Sequence, residues 1–534
     1  MKYFRLFKDK RETKYALIFG FLFSIVNLIA KELQETLHIE FRQLMYILLN
    51  SILLTFVVAE LSIRSKNFML KTMENKNCKE YHLSKGDGKY FFITGLIIFI
   101  SWIPVWLAYY PGLFAYDVMT QIPQATNGYN LTFPLLHTMY LNFFYYTVGG
   151  EIFHNYTTGI AYATVLQMII FSSMLSYIHL FFKRCGINKK VRVILIAITS
   201  FLPIFSVLGI SMTKDIFFAG FFGMLFTCIC YWELDAEKTK KSFEICAVYF
   251  VSIAGTILFR ANGIYGVAAM CVVMIFTARR KNKKMIFLTV LSLGCSVLLL
   301  NGLKTALSAS DASKNDVLSI PYQQLAYVYT VDYDELSDED RADIELIMPR
   351  VSFYNPHNGD DVKFTGTASD NMECFLNVYF RLLKKYPFQY IEAFMHTNLG
   401  YLYIFDTTNA NSVYGYGLDW RQGYLLTDTK AGFDVVHESK FKLLENVYEN
   451  LFSANEYQKI FPLFVMCSLS VYFWILILMF FRMFELRNWR IISSMILILA
   501  LGATSIMAPC ALIRYIFPYI MCIPAMIYNV YSRN

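Results

Sequence analysis

Long apolar stretches separated by short polar ones make up most of this chain. A hydrocarbon core of about 30 Å is crossed by about 20 apolar residues in a helix, whereas the strands of a membrane barrel alternate between apolar and polar residues. The pattern therefore predicts an all-α polytopic membrane protein with about 12 transmembrane helices (11–13). The predicted spans are residues 15–33, 44–63, 90–110, 159–182, 193–210, 216–232, 242–259, 264–278, 285–304, 460–482, 491–509 and 515–531.

Basic residues cluster in alternate loops, which predicts the orientation of these spans. Cytoplasmic loops carry an excess of Lys and Arg, so both termini and the basic loops are expected in the cytoplasm, in a multi-pass protein of the plasma membrane. Residues 134–150 are short for a span, rich in aromatic residues, and contain His137 and Asn142. We interpret them as an interfacial helix on the outer leaflet, since a span here would place the later basic loops outside.

This topology divides the chain into three parts. Residues 1–305 form an N-terminal transmembrane module with a first outer loop at 111–158. Residues 306–458 form an extracytoplasmic polar segment, in which residues 388–405 are interrupted by polar side chains and look interfacial. Residues 459–534 form the C-terminal transmembrane helices. Outer juxtamembrane helices are therefore expected besides the spans.

Composition supports a membrane protein and excludes some other classes. The chain is 56% hydrophobic and 16% charged, whereas soluble domains carry about 25% charged residues. Its net charge of +8 comes mostly from the basic loops, so no nucleic-acid partner is expected. Most of the eleven cysteines lie inside apolar runs and are interpreted as small core residues rather than a disulfide framework.

The topology places an unusual set of polar residues at the outer ends of spans and in outer loops. Ionisable residues are costly near the bilayer core and tend to be functional there, and three of these are cations that oppose the positive-inside bias. Together they favour an outward-facing anion-binding cavity. The set is Asp117, His137, Lys214, Asp215, Arg260, Asn262, Gln323, Gln324 and Arg514.

Each of these residues also has a purely structural interpretation. Asp117 and Asp215 are suited to cap the helices that follow them, Lys214 to snorkel at an interface, and the arginines to anchor the protein at the surface. His137 fits a packing role better than that of a base. The loop carboxylates Asp360 and Asp361 are expected to be solvated.

Taken together, the residues suit a substrate that combines a lipid phosphate with a hydroxyl group. The cations would bind the phosphate, and Arg is able to do so with two hydrogen bonds. Asp117 would accept the proton of an attacking hydroxyl as a general base. The cations would also stabilise the charge that develops on the leaving phosphate.

The motif Tyr-Pro-Gly-x-x-x-Tyr116-Asp117, with Gln121 and Pro-Leu-Leu-His137-Thr downstream, resembles the first outer loop of GT-C-type membrane glycosyltransferases. More closely, the chain looks like an uncharacterised bacterial branch of GT-C-like integral membrane proteins over most of residues 95–520. The matching features are Thr-Lys214-Asp215, Phe-Arg260-Ala-Asn262-Gly263, Pro-Tyr-Gln-Gln324, Asn-Pro with Asp361-Val-Lys363, and Arg514-Tyr-x-x-Pro518.

The resemblance implies an inverting glycosyltransferase that moves a sugar from a polyprenyl-phosphate carrier to an extracytoplasmic glycan, lipid or protein acceptor. It implies Asp117 as the general base, no cofactor other than the divalent cation that some family members use, and contact with membrane lipids. No convincing metal-ligand set is present. Substrate-binding residues would be Tyr116, Gln121, His137, Lys214, Asp215, Arg260, Asn262, Gln324 and Arg514.

Two departures from the family pattern leave donor and acceptor open. Two spans precede the one that leads to Asp117, and no second acidic residue follows Asp117. A transporter or flippase for a lipid-linked sugar or phosphate lipid would use the same cavity, although the sequence shows neither inverted repeats nor helices broken at the midplane. A glycan polymerase or ligase and a scaffold role are further alternatives.

Overall fold

The described residues form an all-α fold apart from one very short sheet. The computed structural model describes residues 9–74, 81–114, 117–277, 283–312, 314–363, 366–406, 434–453 and 456–532. Two strands, β1 (Leu113–Phe114) and β2 (Ser211–Met212), pair in parallel with Leu113 opposite Ser211. The predicted all-α architecture is thus confirmed, and the short sheet was not predicted.

The helices before the polar segment are, in order, α1 (Lys10–Glu35), α2 (Phe41–Glu74), α3 (Asp87–Ala108), α4 (Asp117–Gln121), α5 (Gln124–Asn127), α6 (Leu135–Asn142), a π-helix (Phe143–Ile152), α7 (Tyr156–Arg184), α8 (Lys189–Phe201), α9 (Pro203–Gly209), α10 (Lys214–Leu234), α11 (Ala236–Lys241), α12 (Phe243–Phe259), α13 (Gly263–Thr277) and α14 (Lys283–Ala306).

The α-helices that follow are α15 (Ser319–Val331), α16 (Asp338–Ile347), α17 (Asp360–Lys363), α18 (Met372–Lys385), α19 (Pro387–Thr397), α20 (Leu399–Leu402), α21 (Lys442–Tyr448), α22 (Phe461–Cys467), α23 (Leu469–Glu485), α24 (Ile492–Ile506) and α25 (Ile513–Tyr531). Short 3₁₀ and π turns connect several of them: Lys314–Leu318, Tyr333–Glu335, Val351–Phe353, Glu449–Ser453, Glu456–Lys459 and Trp489–Ile491.

Eight described helices are long and apolar enough to cross a membrane, and counting each of two bent pairs as one span gives ten. The remaining two predicted spans correspond to α12 and α13, which are apolar but only 17 and 15 residues long. Every predicted span thus coincides with a helix or a bent pair. The count of about 12 transmembrane helices stays a prediction because a span needs about 20 residues.

Helices α3 and α7 pack against each other in opposite directions. Asp87 at the start of α3 binds Lys183 and Arg184 at the end of α7, at 2.6 and 2.7 Å. The chain from 109 to 155 therefore begins and ends at the same end of the bundle. This is the arrangement expected if residues 134–150 do not cross the membrane.

The bundle consequently has two distinct ends, which we call the Asp87 end and the Asp117 end. At the Asp87 end, Arg184 also binds Glu244 at 2.8 Å, and Lys66 joins Glu12 and Glu485, each at 2.6 Å. The basic loops of the sequence follow the helix ends on this side. The described residues nearest both termini lie here too, since Arg11 donates to the Phe484 carbonyl at 2.5 Å and Asn488 donates to the Asn529 carbonyl at 3.1 Å.

The polar segment has a hydrophobic core of its own. Tyr322, Leu325 and Val328 of α15 pack with residues of α16, α18 and α19 in a cluster separate from the main bundle core. The segment is tied to the turn between α1 and α2, where Glu392 accepts a hydrogen bond from Tyr327 at 2.8 Å and contacts His38 at 2.7 Å. Residues 314–390 are therefore compact, and α19 and α20 join them to the bundle.

Candidate active site

The Asp117 stretch is positioned by a turn that ends α3. Gly112 has a φ of 149°, and a side chain there would meet the Thr164 hydroxyl at 2.3 Å, so only glycine fits. The Leu113 N–H then donates to the Ile210 carbonyl at 3.0 Å, where β1 pairs with β2. Since β2 is followed directly by Thr213 and Lys214, this small sheet brings Asp117 next to the start of α10.

Asp117 is bound by two cations from distant parts of the chain. Its Oδ2 lies 2.8 Å from Lys214 Nζ and 3.0 Å from Arg514 Nη1, and the residue is only 5% exposed. Burial alone would raise the pKa of Asp117, but the charges of Arg514 and Lys214 outweigh it and hold the pKa well below its ordinary value. Asp117 is therefore ionised in this state.

A second carboxylate, Asp215, extends the cluster. Its Oδ1 lies 2.7 Å from Arg260 Nη1, and its Oδ2 lies 3.6 Å from Arg514 Nε. Thr213 donates its hydroxyl to Asp215 Oδ2 at 3.2 Å. Arg514 thus contacts both aspartates, and we call Asp117, Lys214, Asp215, Arg260 and Arg514 the ionic cluster.

The ionic cluster contains three cations and two carboxylates, which leaves one positive charge without a counter-charge within it. Aromatic rings face the cations: Arg260 lies 4.4 Å from the Tyr515 ring centroid, and Lys214 lies 4.7 Å from that of Phe133. Cation–π contacts of this kind hold a cation in place without neutralising it. The cluster is accordingly suited to bind an anion.

His137 lies beside the cluster and is completely buried. Its Nδ1 is 3.1 Å from Gln121 Oε1, while Gln121 Nε2 donates to the Thr138 hydroxyl at 3.0 Å. Burial, reinforced by the charge of Lys214, lowers the pKa of His137 to about 3. The ring is neutral, and we assign its proton to Nδ1, because the amide orientation leaves Gln121 Oε1 as the acceptor.

His137 Nε2 accepts no hydrogen bond from any residue that the structure describes, although it is buried. An unsatisfied buried polar atom is uncommon. With Nδ1 protonated, Nε2 carries a lone pair and is suited to accept a hydrogen bond from a hydroxyl group. His137 and Gln121 thus form a neutral, polar wall of the site.

The remaining candidates are Gln324, Asn262 and Tyr116. Gln324 accepts from the Tyr379 hydroxyl at 2.7 Å and donates to the Tyr390 carbonyl at 3.1 Å, so its amide is engaged inside the polar segment. Asn262 is half-buried in the turn between α12 and α13, where its carbonyl accepts the Tyr265 N–H at 3.2 Å. Tyr116 lies outside the described residues.

The structure pairs Asp360 with Lys363 in a buried position, whereas the sequence predicted a solvated carboxylate. Asp360, expected to be solvated, is 7% exposed and lies 2.6 Å from Lys363 Nζ. Asp361, its neighbour, is only half-buried, and burial raises its pKa. The spacing of Asp360 and Lys363 on one helical turn was readable in the sequence, but their burial was not.

A metal site would need several ligating side chains close together. Across the described ranges, no group of three or more His, Cys, Asp or Glu side chains is arranged to hold a metal ion. Cys510 lies near Asp117 and Asp360, but burial raises the pKa of its thiol to about 12. It is consequently a neutral packing group.

Comparison with known proteins gives one match. No curated protein and no solved structure matched the chain. The model of a protein family matches residues 125–534, a range that includes Lys214, Asp215, Arg260 and Arg514 and begins eight residues after Asp117. Since that match covers well over half of the sequence, the chain belongs to this family, which is described as a family of unknown function (DUF6020).

Proposed function

We propose that this protein is an inverting GT-C-type glycosyltransferase of the bacterial plasma membrane. It would move a sugar from a polyprenyl-phosphate carrier to an acceptor on the extracytoplasmic face, with Asp117 as the general base. One observation carries the proposal: the buried carboxylate of Asp117 contacts two cations, Lys214 and Arg514, at the end of the bundle opposite the basic loops. This arrangement supports a site for a lipid phosphate and a hydroxyl group together.

The basicity of Asp117 would depend on the donor. Without a ligand, Lys214 and Arg514 both face Asp117 and hold its pKa low, which makes it a weak base. A donor phosphate would compete for the same two cations, so its binding would weaken their hold on Asp117 and raise the basicity of the carboxylate. Proton abstraction would then be coupled to the presence of the donor.

In the transfer step, the acceptor oxygen would attack the anomeric carbon of the sugar, and the bond from that carbon to the phosphate oxygen would break. The acceptor proton would pass to Asp117, and the lipid phosphate would leave with a second negative charge. Lys214, Arg260 and Arg514 are suited to stabilise that charge as it develops. His137 Nε2 would accept a hydrogen bond from a sugar hydroxyl.

The test is sugar transfer and release from radiolabelled undecaprenyl-phosphate hexoses by purified protein in detergent. We expect Asp117→Asn to lower turnover by about 10²–10⁴-fold, the usual contribution of general base catalysis. Binding of undecaprenyl phosphate should be retained or strengthened, because the variant leaves Lys214 and Arg514 without their carboxylate. Asp370→Asn, an exposed carboxylate in the polar segment, is the matched control.

Two helix breaks favour transport as a second candidate. Helices α8 and α9 meet at 51°, and α22 and α23 meet at 64°. Leu202 and Met466, beside these breaks, line an apolar cavity of about 180 Å³. Discontinuous helices are typical of transporters. If the natural protein binds undecaprenyl phosphate but turns over no hexose donor, movement of the lipid across liposome membranes becomes the better proposal.

A further inference from the structure

One loop of the polar segment reaches the start of the helix that carries Arg514. The Gly359 N–H donates to the Pro509 carbonyl at 2.7 Å, five residues before Arg514. A side chain at Gly359 would meet Gln323 Cγ at 3.0 Å and the Pro509 carbonyl at 3.3 Å. The close fit at this glycine fixes the start of α17 against Pro509.

Helix α17 carries a buried ion pair at this contact. Asp360 and Lys363 are 7% and 8% exposed, and their charged atoms lie 2.6 Å apart. Removing two charges from water is costly, and a buried ion pair is often no more stabilising than apolar residues of the same volume. Stability alone is therefore a poor explanation for this pair.

The pair lies close to the ionic cluster. Cys510, next to Pro509, is within electrostatic range of Asp360 and Lys363 and also of Asp117 and Arg514. Because Cys510 is buried, charges around it are screened less than they would be in water. While Asp360 neutralises Lys363 the pair adds no net charge there, but a Lys363 ammonium group released from Asp360 would add to the positive potential around Arg514.

Gln323 provides a second sign that a ligand fits here. It is fully buried, and its Nε2 donates to the Asn355 carbonyl at 2.8 Å. Its Oε1 accepts no hydrogen bond from the residues that the structure describes. Since buried acceptors are normally satisfied, this atom is available to a ligand hydroxyl or to a water that accompanies a ligand.

We propose that Lys363 is a further cation of the anion site and that α17 makes the polar segment one wall of it. Lysine is a compact charge on a flexible stem, so its ammonium group is able to exchange the Asp360 carboxylate for a lipid phosphate. Asp360 holds Lys363 in place while the site is empty. This inference rests on the proposed anion site, and it assigns that site a residue outside the transmembrane helices.

The experiment measures binding of undecaprenyl phosphate to the full-length protein in detergent, by the change in intrinsic fluorescence. Undecaprenol, which lacks the phosphate, and inorganic phosphate, which lacks the lipid, are compared with it. The variants are Lys363→Met, Lys363→Arg, Lys214→Met and the double variant Asp360→Asn/Lys363→Met. Lys384→Met, an exposed lysine on α18, is the matched control.

We expect Lys363→Met to weaken binding of undecaprenyl phosphate about tenfold or more, as loss of a charged hydrogen bond does. Lys363→Arg should keep most of the affinity, and Lys384→Met should keep all of it. The double variant removes both charges and so leaves no unpaired carboxylate that would disturb folding. It should bind as weakly as Lys363→Met, and undecaprenol binding should not change in any variant.

Four results would overturn the inference. Normal affinity in the double variant would mean that the pair is only structural. Loss of affinity in Lys214→Met but not in Lys363→Met would leave the ionic cluster as the anion site without Lys363. Equal binding of undecaprenyl phosphate and undecaprenol by the natural protein would remove the anion site itself, and with it the proposed function. Binding of inorganic phosphate alone would assign the site to a soluble anion.

Discussion

At the scale of single residues, Arg514 links the two carboxylates of the site. It contacts Asp117 at 3.0 Å and Asp215 at 3.6 Å, and it is 2% exposed. The same side chain therefore orients a candidate base and a carboxylate that holds Arg260. Nothing in the residues around position 514 predicts this double contact, because both partners lie about 300 or more residues earlier in the chain.

His137 leads to a prediction about pH. Its pKa in the folded protein is about 3, below the value of 6.5 for an exposed histidine. As pH falls below 6.5, the unfolded chain binds a proton that the folded chain does not, so this contribution to stability is complete above pH 6.5 and is lost as pH falls towards 3. The loss is at most about 1.4 kcal/mol per pH unit.

We expect the melting temperature of His137→Asn to depend less on pH than that of the natural protein between pH 4 and 7. Asparagine keeps a donor near Gln121 but does not titrate. His154→Asn is the control, since His154 is exposed and its φ of 50° suits asparagine. An unchanged pH dependence in His137→Asn would contradict the burial of a neutral imidazole.

At the scale of helices, the fit of α7 against the π-helix holds the first outer loop in place. A side chain at Gly159 would meet the Phe144 carbonyl at 2.2 Å and the Gly149 nitrogen at 2.8 Å. These are backbone atoms, which are unable to move aside without shifting a helix. The segment that carries His137 is therefore fixed through its C-terminal continuation.

We expect Gly159→Ala to destabilise the protein by about 1–3 kcal/mol, the usual cost of overpacking. Gly294→Ala on α14 is the matched control, because a side chain there meets nothing within 4 Å. It should be neutral or stabilising by about 0.5–1 kcal/mol, since alanine favours a helix over glycine. Unfolding by SDS titration of both variants measures the difference, and equal effects would contradict the close packing.

The bends between helices show which features of the fold a local sequence signal predicts. Pro203 is the first residue after the break between α8 and α9, so that bend had a local signal. Pro104, Pro518 and Pro524 lie inside helices that continue past them. The bend between α22 and α23 falls at Ser468, where no proline marks it. The sequence showed no helix broken at the midplane, yet two predicted spans, 193–210 and 460–482, are each bent between two helices, because packing decides which weak points bend.

At the scale of the whole molecule, the two ends of the bundle differ in how their charges are used. The Asp87 end carries the basic loops, whereas the cations of the Asp117 end are paired with carboxylates in the ionic cluster. The positive-inside bias then predicts that the Asp117 end faces outward. The antiparallel packing of α3 and α7 supports assigning these groups to opposite sides.

Cysteine labelling in intact cells tests this orientation. In a variant without native cysteines, we expect a membrane-impermeant maleimide to label Asn127→Cys at the Asp117 end. Lys190→Cys, at the start of α8, should react only after the cells are permeabilised. Both positions are exposed, so accessibility of the side chain is matched. Labelling of the opposite residue in intact cells would reverse the proposed orientation and place the site in the cytoplasm.

By itself, the sequence determined the all-α architecture, the positions of the apolar helices and the polar residues that oppose the charge bias. These are consequences of local hydrophobicity and length, which each segment carries on its own. Only the tertiary structure decided that Asp117 contacts both Lys214 and Arg514. It also decided that Gln324 forms its hydrogen bonds inside the polar segment, and that Asp360 and Lys363 are buried. Such contacts join residues far apart in the chain, and only the packing of helices against one another brings their side chains within hydrogen-bonding distance.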